Sequence, residues 1–409
     1  VIVVLNPSWN LDEFISRLTG REESMLTEDL RNSHDALSDR ISGQRVMVVG
    51  GAGTIGSSFV KAILKYRPGS LIVVDTNENG LTELVRDLRS TPNVVIPNEF
   101  LLYPMSLGDK VFEKFFKQAT HQDIVANFAA HKHVRSEKDR FSIEAMIENN
   151  VIRAKNFLDL LDCSRPERFF CVSTDKATNP VNIMGASKSL MEKVIMAYSK
   201  SFSVNTARFA NVAFSNGSLL DGFLTRISKG QPISAPTDVK RYFVSPIESG
   251  QICMLSCMLG NSSEIFFPKL EYSRDLLTFS EIAERFLFEM GLKPEFCKSE
   301  EEARQKSKLR KPNSPTYPVY FFESDTSGEK PVEEFYTDSE DVDLNRFASL
   351  GVVRRQSNET VDDANNIVQD LLDLFAREQV EKHEIVQCLC KYLPDFDHDE
   401  RGKNLDHKM

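Results

Sequence analysis

Apolar and polar positions follow two rhythms along this chain, and the change from one to the other marks out its elements. Short, nearly unbroken apolar runs occur at 45–49, 70–74, 93–96, 123–128, 167–173 and 204–210. Runs of that length, rich in Val, Ile and Phe, predict strands buried on both faces. Between them, apolar residues recur every three or four positions at 54–66, 78–89, 109–118, 139–162 and 184–201, which predicts helices. Strand and helix alternating from 45 to about 215 predict an α/β body, a parallel sheet with helices on both faces. Ligands in such a sheet sit beyond the carboxyl ends of the strands.

The flanks read differently. Asn10–Ile15 and Ser24–Ile41 carry helical spacing with many charges, so 1–43 is expected to be a helical arm packed on the body or on a second subunit. Residues 295–316 are charged and proline-bearing and predict a surface insertion or flexible loop. Helical periodicity returns over 359–391, for helices that pack on the body or build a dimer contact, and the last residues form a polar, frayed tail. The division expected is a helical arm at 1–43, a nucleotide-binding body at 44–215, a smaller interleaved α/β substrate domain at 216–345, and a helical extension at 346–409.

The first strand and helix enclose the chain's most telling turn, Gly50-Gly51-Ala52-Gly53-Thr54-Ile55-Gly56. A tight turn needs a residue without Cβ, and so does backbone approached closely by a diphosphate; a third glycine lets helix and strand pack. The opening helix turns free N–H groups and its positive end toward an anion. Asp75 ends the second strand about 20 residues on, where a carboxylate accepts the ribose hydroxyls of an adenosine. The body is therefore expected to be Rossmann-like. Gly50, Gly53, Thr54, Ile55, Gly56 and Asp75 are its cofactor contacts, and the acid favours NAD over the phosphorylated form.

Composition narrows the classes. A net charge of -10 argues against a general nucleic-acid binder and against an anionic membrane surface. The seven cysteines lack a CxxC pair or a nearby ligand set, so they read as reduced core thiols of a cytoplasmic protein, with no metal. No apolar run reaches the roughly 18 residues of a membrane span. The opening VIVVL is too short and lacks the basic flank of a secretion signal, and a start without methionine leaves room for upstream residues.

The remaining candidates follow the strands. After the fourth comes Asn127-Phe128-Ala129-Ala130-His131-Lys132-His133. Small Ala129 and Ala130 suit close approach of a cofactor or a close helix–sheet contact. Lys132 and His133 are walls of a polar pocket or plain surface residues. Asn149-Asn150 inside a helix invites a specific hydrogen bond or is merely exposed. After the fifth strand come Ser173-Thr174-Asp175-Lys176-Ala177 and then Met184-Gly185-Ala186-Ser187-Lys188, where Met184 and Lys188 share a helix face.

Together the glycine turn, NFAAHKHV and STDKA followed by NPVNIMGASK resemble the extended short-chain dehydrogenase/reductase superfamily, and within it the CapD-like nucleotide-sugar 4,6-dehydratases of bacterial polysaccharide biosynthesis. The resemblance runs from about residue 44 to about 340. The superfamily places tyrosine four before the lysine; here Met184 stands there, and a thioether has no proton to exchange. In the CapD-like subgroup methionine is usual, and the resemblance implies that Asp175 and Lys176 do the acid/base work, Thr174 orients substrate, Lys188 holds the nicotinamide ribose and Met184 packs near the ring. It also implies that Asn211, Ser218, Arg241 and Glu329, with Lys132 and His133, contact the sugar nucleotide. Ala210 replaces the family's glycine before Asn211, and Met105-Ser106-Leu107 stands where relatives often put an aspartate for adenine. The implied activity is NAD-dependent dehydration of a hexose on a nucleotide, UDP-N-acetylglucosamine first and a GDP sugar as a variant, in a homodimer or larger homo-oligomer. A 4-epimerase, a reductase or a non-catalytic binding scaffold are the alternatives. Burial of Lys176 beside Lys188 is expected to lower its pKa.

Overall fold

The computed structural model describes residues 9–398 except 325–327, 329 and 356–357, with the backbone alone at 135 and 136. Six strands form the body in chain order: β1 (Arg45–Val49), β2 (Ser70–Asp75), β3 (Glu99–Pro104), β4 (Ile124–Asn127), β5 (Arg168–Val172) and β6 (Ser203–Ala207). They lie parallel in the order β6-β5-β4-β1-β2-β3. The chain runs outward from β1 to β3 and then returns to place β4 on the other side of β1. The two directions part at β1 and β4, where such sheets bind ligands.

Three further strands extend this sheet past β6. Glu264–Pro268 pairs parallel with β6, Leu350–Arg354 pairs antiparallel with Glu264–Pro268, and Asp341–Asp343 is the edge. The body thus reclaims chain from well beyond residue 215, at 264–268 and 341–354.

β3 corrects one expectation. The apolar run at 93–96 is not the third strand; the strand is Glu99–Pro104. Proline at 92 and 97 cannot donate to a ladder, and Asn93 sits at φ 63°. As an edge strand, β3 is only half-buried and can end in Pro104.

Residues 295–316 correct another. Lys293–Phe296 and Thr316–Phe322 pair parallel, the helix Glu300–Leu309 crosses between them, and Thr316–Phe322 pairs on with Ile233–Pro236. The segment is a strand–helix–strand unit of the smaller domain, not a loop. Its charges conceal the helix: Ser299 caps it, acids fill the first turn and lysines the last, and Ala303 alone is buried.

The arm is shared between two cores. Phe14, Ile15 and Leu18 of the helix Leu11–Thr19 enter the smaller core with Phe214, Phe223 and Phe286, while Leu26, Leu37 and Ile41 enter the main one. Arg21 pins the crossing with two bonds to Glu248 at 2.9 and 3.0 Å and one to the Phe243 carbonyl at 2.8 Å. At the other end, Val361–Phe375 and Lys382–Tyr392 pack on the helix Ile183–Met196. Both extensions pack on the body. Among the described residues, no helix is long and apolar enough to cross a membrane.

Candidate functional site

At the mouth of β1 the glycines have separate reasons. Gly50 adopts φ 74°, and a Cβ there would meet the Phe128–Ala129 peptide at 2.6–2.7 Å. A Cβ on Gly56 would lie 2.3 Å from the Gly50 carbonyl oxygen. Gly53 differs: a Cβ would meet only the Gly50 oxygen, at 3.5 Å, an ordinary contact. The protein's own packing does not demand glycine at 53, so its bareness fits a group lying against the loop.

The helix Thr54–Leu64 begins there with no side-chain cap and no acid in its first turn, leaving its positive end for an anion. Asp75 accepts from Ala52 N at 2.9 Å and Asn77 N at 2.8 Å, which fixes the carboxylate beside the loop with lone pairs to spare. Ala129 and Ala130, half-buried, continue the wall from β4. These residues fit a dinucleotide.

Ile55 packs on the main core, whereas Thr54 reaches across. Its Oγ1 accepts from Asn216 N at 3.0 Å, and Lys132 Nζ donates to the Asn216 carbonyl at 2.9 Å. His133 lies beside Gly217, whose Cβ would come within 3.4 Å of Nε2. Lys132 and His133 therefore meet the 216–218 segment at the glycine helix. Ser218 uses its hydroxyl to cap the helix Leu219–Ser228, accepting from Asp221 N at 3.2 Å. Asn211, half-buried, pairs with Phe243 in a small second sheet.

The asparagine pair proves specific at one position. Residues Glu148–Ile152 form a π-helical turn that interrupts the long helix after β4. Asn150 there is buried; it accepts from His131 N at 2.8 Å and donates to His131 O at 2.9 Å and to Ser187 Oγ at 3.0 Å.

Beyond β5 the acid/base candidates converge. Thr174 Oγ1 donates to Asp175 Oδ1 at 2.9 Å, and Lys176 Nζ lies 3.0 Å from the same oxygen. Asp175 is 1% exposed. On its other side Lys176 meets Glu333 Oε1 at 3.5 Å, and that oxygen lies 3.6 Å from Arg241 Nη2. Burial opposes the Lys176 charge, but Asp175 and Glu333 outweigh both burial and Arg241, so its pKa is raised. The expected lowering is thus corrected: two carboxylates, rather than Lys188, face this amine. Burial pushes the Glu333 carboxyl upward, with Asp175 adding to it against the pull of Lys176, Arg241 and Lys330.

Lys188 is buried separately, its amine donating to the Val172 carbonyl at 2.7 Å, and burial lowers its pKa. Met184, 3% exposed, starts the same helix, its N–H held by Glu137 Oε1 at 2.9 Å.

Two elements seat this cluster. Glu192, one helical turn after Lys188, accepts from Ser173 Oγ at 2.5 Å and from Arg208 at 2.9 and 3.1 Å, while Arg208 also grips Glu340 at 2.8 and 2.9 Å. The ends of β5 and β6 are locked together by this buried ion network. Gly328 and Lys330 also bond to this region. Asn182 Nδ2 donates to Gly328 O at 2.7 Å while its Oδ1 caps the helix Ile183–Met196 through Gly185 N at 2.7 Å, and Lys330 Nζ reaches Thr178 O at 3.1 Å.

Arg241 is 4% exposed and is turned inward, donating to the carbonyls of Lys240 at 2.8 Å and Lys330 at 2.9 Å beside Glu333. Glu329 lies outside the described residues. The stretch Gly-Glu-Lys-Pro-Val-Glu-Glu at 328–334 resembles the family's GEKxxEE element near the nucleotide, and of its acids the sequence singled out Glu329; the contact of Glu333 with Lys176 comes from the structure. Among the described residues, no group of three or more His, Cys, Asp or Glu could hold a metal.

Similarity to known proteins follows the same outline. A Methanocaldococcus jannaschii uncharacterized membrane protein is 31% identical over 267 residues, 63% of this chain and 76% of that one. The probable polysaccharide biosynthesis protein EpsC of Bacillus subtilis is 31% identical, over 63% of this chain but 44% of its own length. This chain thus spans less than half of that relative. A UDP-N-acetylglucosamine 4,6-dehydratase (inverting) of Campylobacter jejuni is 26% identical over 56% of this chain and 68% of its own, and a UDP-glucose 4-epimerase of Rickettsia canadensis 28% over 55% and 65%. In fold, the chain is similar to Pen from Bacillus thuringiensis (TM-score 0.63, 18% identity, 87% of this chain and 99% of that one). It is also similar to DesIV, a dTDP-glucose 4,6-dehydratase from Streptomyces venezuelae solved with NAD (TM-score 0.54, 19% identity, 71% and 88%). Residues 46–350, most of the sequence, match the profile of a family described as polysaccharide biosynthesis protein, and the chain belongs to that family.

Proposed function

We propose that this protein is an NAD-dependent 4,6-dehydratase of a nucleotide-activated hexose, with UDP-N-acetylglucosamine as the first substrate to test. The observation that carries this reading is the run Thr174–Asp175–Lys176, in which the buried Asp175 lies 3.0 Å from the half-buried Lys176 amine, packed on the helix that carries a methionine with no proton to exchange. The glycine turn, Asp75 and Lys188 would hold NAD, which would supply a reversible hydride acceptor for carbon 4 and the hydride returned at carbon 6.

The chain's residues handle the protons. Thr174 orients the 4-hydroxyl. Lys176 and Asp175 share one proton as an ion pair at rest. Passing that proton from the ammonium to the carboxylate leaves a neutral amine beside a carboxylic acid. The amine then takes the proton from carbon 5, acidified by the ketone, while Asp175 gives its proton to the 6-hydroxyl, which leaves as water. The ion pair is restored at elimination; as hydride reaches carbon 6 the ammonium returns its proton to carbon 5 and regains one from solvent, which balances the proton the 4-hydroxyl released to solvent when carbon 4 was oxidised. The raised pKa of Lys176 keeps that proton in place at neutral pH.

Lys176→Met tests the assignment. Turnover should vanish while NAD still binds, because Lys176 lies away from the glycine turn; a variant that keeps turning over removes Lys176 from the mechanism.

A further inference from the structure

Glu333 plays no part in the mechanism above, yet it is buried against it. It is 4% exposed, and its Oε1 stands between two cations, 3.5 Å from Lys176 Nζ and 3.6 Å from Arg241 Nη2. Its other oxygen, Oε2, is buried without a hydrogen-bond partner. A buried carboxyl with an unmet oxygen costs stability, so its retention needs a return elsewhere.

Building on the dehydratase reading, we propose that Glu333 is a positioning residue for the reaction. It holds the Lys176 ammonium against Asp175 from the far side, so that the pair enters each turnover with one proton between them. It also ties that pair to Arg241, which approaches from the smaller domain.

The geometry supports this in two ways. Lys176 meets two carboxylates, Asp175 at 3.0 Å beyond the end of β5 and Glu333 at 3.5 Å, so its amine is held by both. The charged groups facing it from every packed element are these two, Arg241 on Lys240–Val244, and Lys330, which faces Glu333. Arg241 favours loss of the Lys176 proton, and Glu333 opposes it. Without the Glu333 charge, Lys176 would release the shared proton at lower pH.

The test is the titration of Lys176 in Glu333→Gln and Glu333→Asp, read from the lysine 13Cε shift, assigned with Lys176→Met, together with the pH profile of kcat on UDP-N-acetylglucosamine. In Glu333→Gln the Lys176 titration and the alkaline fall of kcat should both move down by about one pH unit or more. NAD affinity should stay within about twofold, since the glycine turn is untouched. Glu333→Asp, which keeps the charge, should restore the wild-type profile at least in part.

A kcat that falls equally at every pH, with the Lys176 titration unmoved, would overturn the proposal. Should Glu333→Gln not fold, the wild-type titration decides: a Lys176 that titrates below an ordinary lysine contradicts it. The shift measurement needs no substrate. If no sugar is turned over, the dehydratase reading fails while the Glu333–Lys176 coupling is still tested.

Discussion

Asn150 holds the His131 peptide from both sides, accepting from its N–H at 2.8 Å and donating to its carbonyl at 2.9 Å. The same amide reaches Ser187 on the helix that carries Met184 and Lys188. One π-helical turn therefore registers the Ala129–His131 wall against the helix that carries Met184 and Lys188. Asn150→Ala should strip the part-buried His131 peptide of both bonds, costing about 1–3 kcal/mol in chemical denaturation. It should lower kcat more than NAD affinity.

The two kinds of glycine separate experimentally. Gly50→Ala forces a positive φ on a residue with a Cβ and drives it into the Phe128–Ala129 backbone, so both folding stability and NAD binding should fall. Gly53→Ala meets no such contact. Its thermal midpoint should stay near wild type while calorimetric NAD affinity drops at least tenfold. Unchanged affinity in Gly53→Ala would place the diphosphate elsewhere.

Glu192 is tested by acid. Burial penalises its charge, but Arg208 and Ser173 more than offset this, and its pKa is lowered. A carboxylate with a depressed folded pKa contributes stability above its unfolded value, near 4.3, and loses it as pH falls through the folded value. Wild type should therefore weaken steeply below about pH 4.3. Glu192→Gln should be less stable at pH 7 by about 3–5 kcal/mol, because Arg208 is left short of a buried partner, and should show a shallower acid slope. Denaturant titrations across pH would reveal equal slopes if the network contributes nothing.

Met184 is buried yet carries no proton in this mechanism. Met184→Leu, close in volume, should retain most of kcat, whereas Met184→Tyr should not raise it. Loss of all turnover in Met184→Leu would mean the thioether itself touches the reaction.

The parts legible in the sequence are those whose logic is local. The glycine turn, Asp75 at the end of β2 and the Asp-Lys pair after β5 announce themselves through spacing along a few dozen residues, and the structure puts all three at strand ends. Long-range pairing is harder to read. Glu333 meets Lys176 across more than 150 residues of chain, and its place in a GEKxxEE-like stretch does not say which side chain it faces. The same holds for Arg241, whose guanidinium is turned to backbone carbonyls in a way its neighbours do not encode. Local rules also misled where two features competed. At 93–96 hydrophobicity outvoted the prolines, and at 300–309 charge hid a helix held by its cap and dipole rather than by an apolar face.

The central claim is dehydration with hydride returned to the same sugar, and its most direct measurement is the mass of the product. The protein is incubated with UDP-N-acetylglucosamine, and in parallel with GDP- and dTDP-linked hexoses, with NAD and no added reductant. The account predicts a 4-keto-6-deoxy sugar nucleotide lighter by one water, with no net NADH. Recovery of the unchanged sugar or its 4-epimer at equal mass, across the whole panel, would contradict it.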